Sequence, residues 1–134
     1  MSKMKLKVRG VIYAWYPQYS QTDPRGPEMV NEMVQRLKQL DQERPEVILM
    51  PEPENFHDPK AIRVYCKGFP MGYVAHEQTG EAHLLFDAQT PMVPAAIVGV
   101  EVESKGSVYI EAELNEAAIK RQFAKPEAVD AWKD

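Results

Sequence analysis

Met50-Pro51-Glu52-Pro53-Glu54-Asn55-Phe56-His57-Asp58-Pro59-Lys60-Ala61-Ile62-Arg63-Val64-Tyr65-Cys66-Lys67-Gly68-Phe69-Pro70-Met71-Gly72-Tyr73-Val74 is the densest run of structural signals in the chain. The apolar residues Val47 to Met50 lead into it as a short strand. A polar, Pro-rich corner follows, carrying Asn55 and Asp58. Ala61 to Cys66 sets Ile62 and Val64 against Arg63 and Tyr65, the period-two alternation of a second strand. Lys67 and Gly68 turn the chain. Met71 to Ala75, with Gly72 and Tyr73, predicts the return strand. Polar groups crowded between short strands are costly unless they shape a loop or hold a ligand.

Working outward, Lys5 to Trp15 reads as a first strand, with Leu6, Val8, Gly10, Ile12 and Ala14 on one face. Tyr16 to Pro27 is a Pro-, Gln- and Tyr-rich loop. Pro27 suits the first turn of a helix. Val30, Met33, Val34, Leu37 and Leu40 recur at helical spacing, which predicts an amphipathic helix over 28–41. Pro45 bars its continuation. Residues 76–87 read as a second helix with Ala82, Leu85 and Phe86 on its apolar side, although Gly80 weakens helix formation. Pro94 to Ser104 and Ser107 to Leu114 form a hairpin turned at Lys105 and Gly106. About six strands and two embedded helices imply a mainly β, α+β plan or a small closed barrel. The expected division is one domain over 1–114 and a charged helical tail over 115–134, with Ile119, Phe123, Val129 and Trp132 as docking points.

Composition narrows the function. At 134 residues the chain has length for one domain. Its net charge of −4 is opposite to the basic excess of nonspecific duplex binders, so any nucleic-acid contact must be local. One cysteine, Cys66, excludes an internal disulfide and a thiolate zinc cluster, and fits a reducing cytoplasm. The amino terminus lacks a signal-peptide h-region, and no run approaches the ~20 apolar residues of a membrane span. His76 and His83, if helical, are separated by ~10 Å of rise, too far for one metal ion with bonds of ~2 Å. Neither a metal nor an organic cofactor is expected. Gly-rich phosphate loops, nucleophile elbows and Cys/His dyads are lacking too, which points away from an enzyme.

The remaining candidates suit binding. Asn55 and Asp58 have two readings: Asx side chains that stabilise the corner through nearby backbone groups, or an amide and an acceptor for a sugar hydroxyl or base edge. Tyr73 is a half-buried strand tyrosine or a platform for a stacked base. Trp15, Tyr16 and Tyr19 are core lids or rings of a single-strand groove. Lys60, Arg63 and Lys67 are a solvated face or a phosphate-positioning cluster. Glu52, Glu54 and Asp58 form a carboxylate group of the kind that is usually solvated.

Residues 48–86 resemble the HIRAN family. The pattern is an apolar strand, Ile48 to Met50; an acidic Pro-containing turn, Glu52-Pro53; Asn55, Asp58 and Ala61-Ile62; then Gly72-Tyr73 and a helix with Glu77 near its start. Val8-Arg9-Gly10 looks like the family's first strand. The resemblance implies a six-stranded OB-like or SH3-like barrel with two helices that captures the 3′ hydroxyl end of single-stranded DNA in fork-remodelling helicases. It implies that Asp58 accepts from the terminal hydroxyl and that Asn55 supports the corner. Tyr73 and His57 would contact base or sugar, and His76 phosphate. Trp15 and Tyr16 would contribute stacking. It also implies helicase or nuclease proteins as partners in DNA repair. The chain departs from the usual pattern in having no Arg after the first strand, His57 where Tyr is common, and Lys60 in place of Asn. The alternatives are a protein-interaction or scaffold domain without DNA contact, suggested by the acidic balance, the 28–41 helix and the tail, and a hydrolase acting on a nucleotide or nucleic acid, or an accessory to such a hydrolase or helicase.

Overall fold

The computed structural model describes residues 2–114 and Lys120. Six strands close into an antiparallel barrel: β1 (Lys3–Arg9), β2 (Val47–Pro51), β3 (Ile62–Cys66), β4 (Phe69–Val74), β5 (Val93–Glu101) and β6 (Ser107–Glu113). Their order around the barrel is β1-β4-β3-β2-β5-β6, with β6 pairing back onto β1. Closure leaves no open edge to aggregate.

Alternation sets the lining. Leu6, Val8, Val47, Leu49, Ile62, Val64, Val108 and Ile110 are all buried in the core. Burying each such side chain is worth roughly 1.5–3 kcal/mol. Lys5 and Arg9 of β1 remain exposed on the outer face. The helix expected at 28–41 is α2 (Gly26–Glu43), a turn longer, with Pro27 in its first turn. It buries Met33, Leu37 and Leu40. It stops where Arg44 turns left-handed and its amide donates to the Leu40 carbonyl at 2.7 Å.

Two expectations are corrected. The first strand does not reach Trp15. It ends at Arg9, and Val11–Trp15 is a short helix, α1. The reason is Gly10, at φ 76° and ψ 25°, a left-handed conformation that a strand cannot contain. The apolar set Val11, Ile12, Trp15 and Tyr16 then follows helical spacing, which the alternation of Gly10, Ile12 and Ala14 disguised.

The second helix is not continuous either. His76–Gln78 and His83–Leu85 are 3₁₀ turns flanking one α-turn, α3 (Thr79–Ala82). The Thr79 hydroxyl donates back to the His76 carbonyl at 2.9 Å, and Phe86 is already extended. With α1 and α2, the elements named within residues 2–114 include three α-helices where two were expected. The strand read as 94–104 ends at Glu101, where the turn begins. The tail over 115–134 lies outside the described residues apart from Lys120. None of the described helices is long and apolar enough to cross a membrane.

Candidate nucleic-acid interface

The corner between β2 and β3 is tied from within. The Glu52 amide donates to the Ala61 carbonyl, and the Asn55 amide to the Glu52 carbonyl, both at 2.9 Å. Asn55 Oδ1 accepts from the amides of His57 and Asp58, each at 2.9 Å. Asn55 Nδ2 donates to Glu52 Oε1 at 3.0 Å. Asn55 thus accepts two bonds and donates one within the corner itself, the loop-shaping role of an Asx side chain.

Glu52 joins this corner to the barrel wall. Its Oε1 also accepts from the Tyr73 hydroxyl at 2.9 Å, and its Oε2 lies 3.4 Å from Arg63 Nη1. Burial, reinforced by donation to the Glu52 carboxylate, raises the Tyr73 pKa above its ordinary value. Arg63 stands over the Tyr73 ring, 5.1 Å from its centroid. Sequence alone treated Glu52 as one of several solvated carboxylates; the structure makes it the link between corner and strand.

Asp58 divides its carboxylate between two neighbours. Oδ1 accepts from the Lys60 amide at 2.9 Å, and Oδ2 lies 3.1 Å from His76 Nδ1. The Lys60 amide, and secondarily His76, lower its pKa despite partial desolvation. Its side chain is 29% exposed and the His76 side chain 83% exposed, so the Oδ2 side of the pair borders solvent. A carboxylate oxygen has more than one acceptor site.

The register places a charged row on the outer wall. Tyr73 of β4 lies opposite Arg9 of β1 on one side and Arg63 of β3 on the other. Val8, Val74 and Val64, one residue along each strand, point inward. An Arg–Tyr–Arg row therefore crosses three strands beside the corner. Arg9 also holds Glu77 through Nη1 at 2.9 Å, and the Glu77 pKa is lowered, first by its own amide and then by Arg9. Gly72 makes the row possible. It adopts φ 147°, and a Cβ there would collide with the Arg9 carbonyl oxygen.

Sequence reasoning did not single out Arg9 as a site residue, because its strand partner is decided by pairing between residues 64 apart. It also passed over Phe56, which stands 96% exposed between Asn55 and His57.

The other sequence candidates are distributed as follows. Lys60 is exposed at the corner, and its carbonyl is 3.0 Å from His83 Nε2. His57 meets the Phe56 ring edge-on at a centroid distance of 5.9 Å. Lys67 leaves the cluster, because it lies at the far end of β3 and pairs with Glu43 at 3.7 Å. Trp15 and Tyr16 belong to a separate cluster. Arg36 of α2 lies 4.1 Å from the Trp15 ring centroid and 5.8 Å from that of Tyr16. Burial raises the Tyr16 pKa, with Arg36 and Glu32 beside its hydroxyl. Among the described residues no group of His, Cys, Asp and Glu is placed to hold a metal ion.

The profile of the HIRAN domain matches residues 27–116, two thirds of the chain. The chain belongs to the HIRAN domain family. That family is known as a nucleic-acid-binding module rather than a catalytic one. The matched residues include the corner, Arg63, Tyr73 and His76, and begin after Arg9, Trp15 and Tyr16. Two solved structures share the HIRAN fold seen here. The crystal structure of the HIRAN domain of human HLTF superimposes with a TM-score of 0.55 at 16% identity, covering 90% of this chain and 82% of that one. A crystal structure of a protein from Lactobacillus plantarum gives 0.53 at 18% identity, covering 85% of this chain and 98% of that one. No curated protein matches in sequence.

Proposed function

We propose that this HIRAN domain binds single-stranded DNA at its 3′ end, in the setting of DNA repair. The observation that carries the reading is the outward Arg9–Tyr73–Arg63 row beside the solvent-bordering Asp58–His76 pair. Guanidinium groups flanking a ring suit a phosphate–base–phosphate path. Asp58 Oδ2 accepts a terminal hydroxyl, while His76 and Lys60 lie where a nearby phosphate passes. A carboxylate repels a terminal phosphate, so this chemistry discriminates between ends. With an overall charge of −4, affinity rests on this local patch and falls with salt. Helicase or nuclease proteins acting on the same DNA are the protein partners this reading implies.

Fluorescence anisotropy with 5′-labelled oligonucleotides ending in a 3′ hydroxyl or a 3′ phosphate tests it. Micromolar binding of the hydroxyl end, weakened by the phosphate, is expected. Equal binding of the two, or no binding, removes the reading.

The alternative, a protein-interaction domain without DNA contact, has its own observation. The outward face of β5 is apolar at Pro94, Ala96 and Val98, and with Met92 and Leu114 it lines a groove of about 900 Å³. That reading expects no anisotropy change with any oligonucleotide.

A further inference from the structure

We infer that Phe56 is a stacking ring for an unpaired base, a contact that rests on the single-strand reading above and extends it to a residue outside the Arg–Tyr–Arg row. An apolar ring left almost wholly in water at the tip of a polar corner contributes nothing to the core. Phe56 is 96% exposed, more than any other large hydrophobic residue among those described.

Its backbone is nevertheless held. Asn55 Oδ1 accepts from the amides of His57 and Asp58, the two residues that follow Phe56. The Asn55 amide is itself bonded to the Glu52 carbonyl. The ring is therefore presented on a closed turn and needs no loop ordering to be met by a ligand, which lowers the entropic cost of contact. Among the described residues its ring neighbour is His57, at a centroid distance of 5.9 Å and an interplanar angle of 89°, and at 96% exposure most of the phenyl surface stays open to a ligand.

Outside the Arg–Tyr–Arg row, other candidate rings are already engaged. Arg36 covers Trp15, Lys7 lies over Tyr109, and Tyr13 meets both Tyr19 and Lys105. Phe69 is the other strongly exposed phenyl ring, at 72%, but it begins β4 at the opposite end of the β3–β4 hairpin from the corner. Phe56 directly precedes His57-Asp58, so a strand whose end reaches Asp58 passes within a residue's length of it.

A phenyl group has no donor or acceptor, so it reads no base edge. Its ligand is an unstacked base of any identity, which excludes intact duplex. The contact adds affinity without adding a phosphate partner, so it leaves the salt dependence unchanged.

The test titrates the full chain with a 5′-labelled oligothymidine carrying a 3′ hydroxyl. It compares the wild type with Phe56→Ala, Phe56→Trp and Phe69→Ala, with thermal melting as the control for folding. Phe56→Ala is expected to weaken binding about 5- to 150-fold, the range for losing one base-stacking ring. Phe56→Trp is expected to restore it, Phe69→Ala to leave it unchanged, and all slopes against salt to stay parallel. Wild-type binding with equal affinity in Phe56→Ala overturns the stacking role and leaves the single-strand reading standing. An absence of wild-type binding overturns both. Equal losses in Phe56→Ala and Phe69→Ala reduce the effect to general surface hydrophobicity and overturn the assignment.

Discussion

Two clusters in this domain combine aromatic rings with arginine, and they are built in opposite ways. At the corner and the adjoining wall, Glu52, Asn55 and Asp58 satisfy one another and their own backbone, leaving Phe56, His76 and the outer Arg9–Tyr73–Arg63 row toward water. Against α2, the arrangement is inverted. Arg36 lies over Trp15 and beside Tyr16, so that the cation covers the rings and the rings close the packing between α1 and α2. The lesson is that an aromatic next to a basic residue is not a binding platform by composition. What matters is how far the protein has already occupied the ring: Arg36 covers Trp15, whereas Phe56 stands 96% exposed.

That contrast can be broken by substitution. The largest effect is expected for Gly72→Ala. A Cβ at φ 147° meeting the Arg9 carbonyl combines backbone strain with overpacking, each costing ~1–3 kcal/mol, so a loss of about 3 kcal/mol is expected in denaturant unfolding. The same variant should lose oligonucleotide binding, because it separates Arg9 from Tyr73. Near-wild-type stability would mean that the β1–β4 contact is looser than described.

Glu52→Ala comes next. It leaves the Asn55 amide and the Tyr73 hydroxyl without their acceptor, at ~1–3 kcal/mol for an unsatisfied group. About 2 kcal/mol of destabilisation is expected, together with weakened oligonucleotide binding. Glu52→Gln should recover most of the stability. If Glu52→Ala binds as wild type does, the corner does not need its tie to the wall.

Arg36→Ala probes the other cluster. Exposed cation–π contacts are worth ~0.5–1 kcal/mol, so a drop of that size in stability is expected. Oligonucleotide affinity and its salt slope should not change. A tenfold loss of affinity would move the α1–α2 rings into the interface and erase the distinction between the two clusters.

The smallest effect is titration of Asp58. Its folded pKa is below the ordinary 3.8, so its contribution is complete above that value and is lost as pH falls through the lowered one. The Lys60 amide resonance should shift as the pH is taken below about 3.8 in the wild type and stay still in Asp58→Asn. A resonance that stays still in the wild type as well would show a carboxylate that does not hold that amide.

The corner was legible before the structure because its determinants are local. Asn55 and Asp58 bond to amides at most three residues away, so an Asx corner could be read from their spacing. Ile62 and Val64 announced the face of β3, and Pro27 the start of α2. The strand expected through Trp15 failed for an equally local reason. Gly10 is neutral in an alternation pattern but carries a left-handed backbone here, and five residues are too few for periodicity to separate strand from helix.

The sequence by itself determined which faces are apolar, where the corner turns and which groups are available to bind, because these depend on side-chain chemistry and on contacts within a few residues. Tertiary structure alone decided which of those groups remain free. Arg36 reaches Trp15 across 21 positions, Glu52 reaches Tyr73 across 21, and Arg9 meets Tyr73 across 64. Such pairings are set by barrel closure and strand register, which balance packing over the whole core and leave no mark in any short window of the chain.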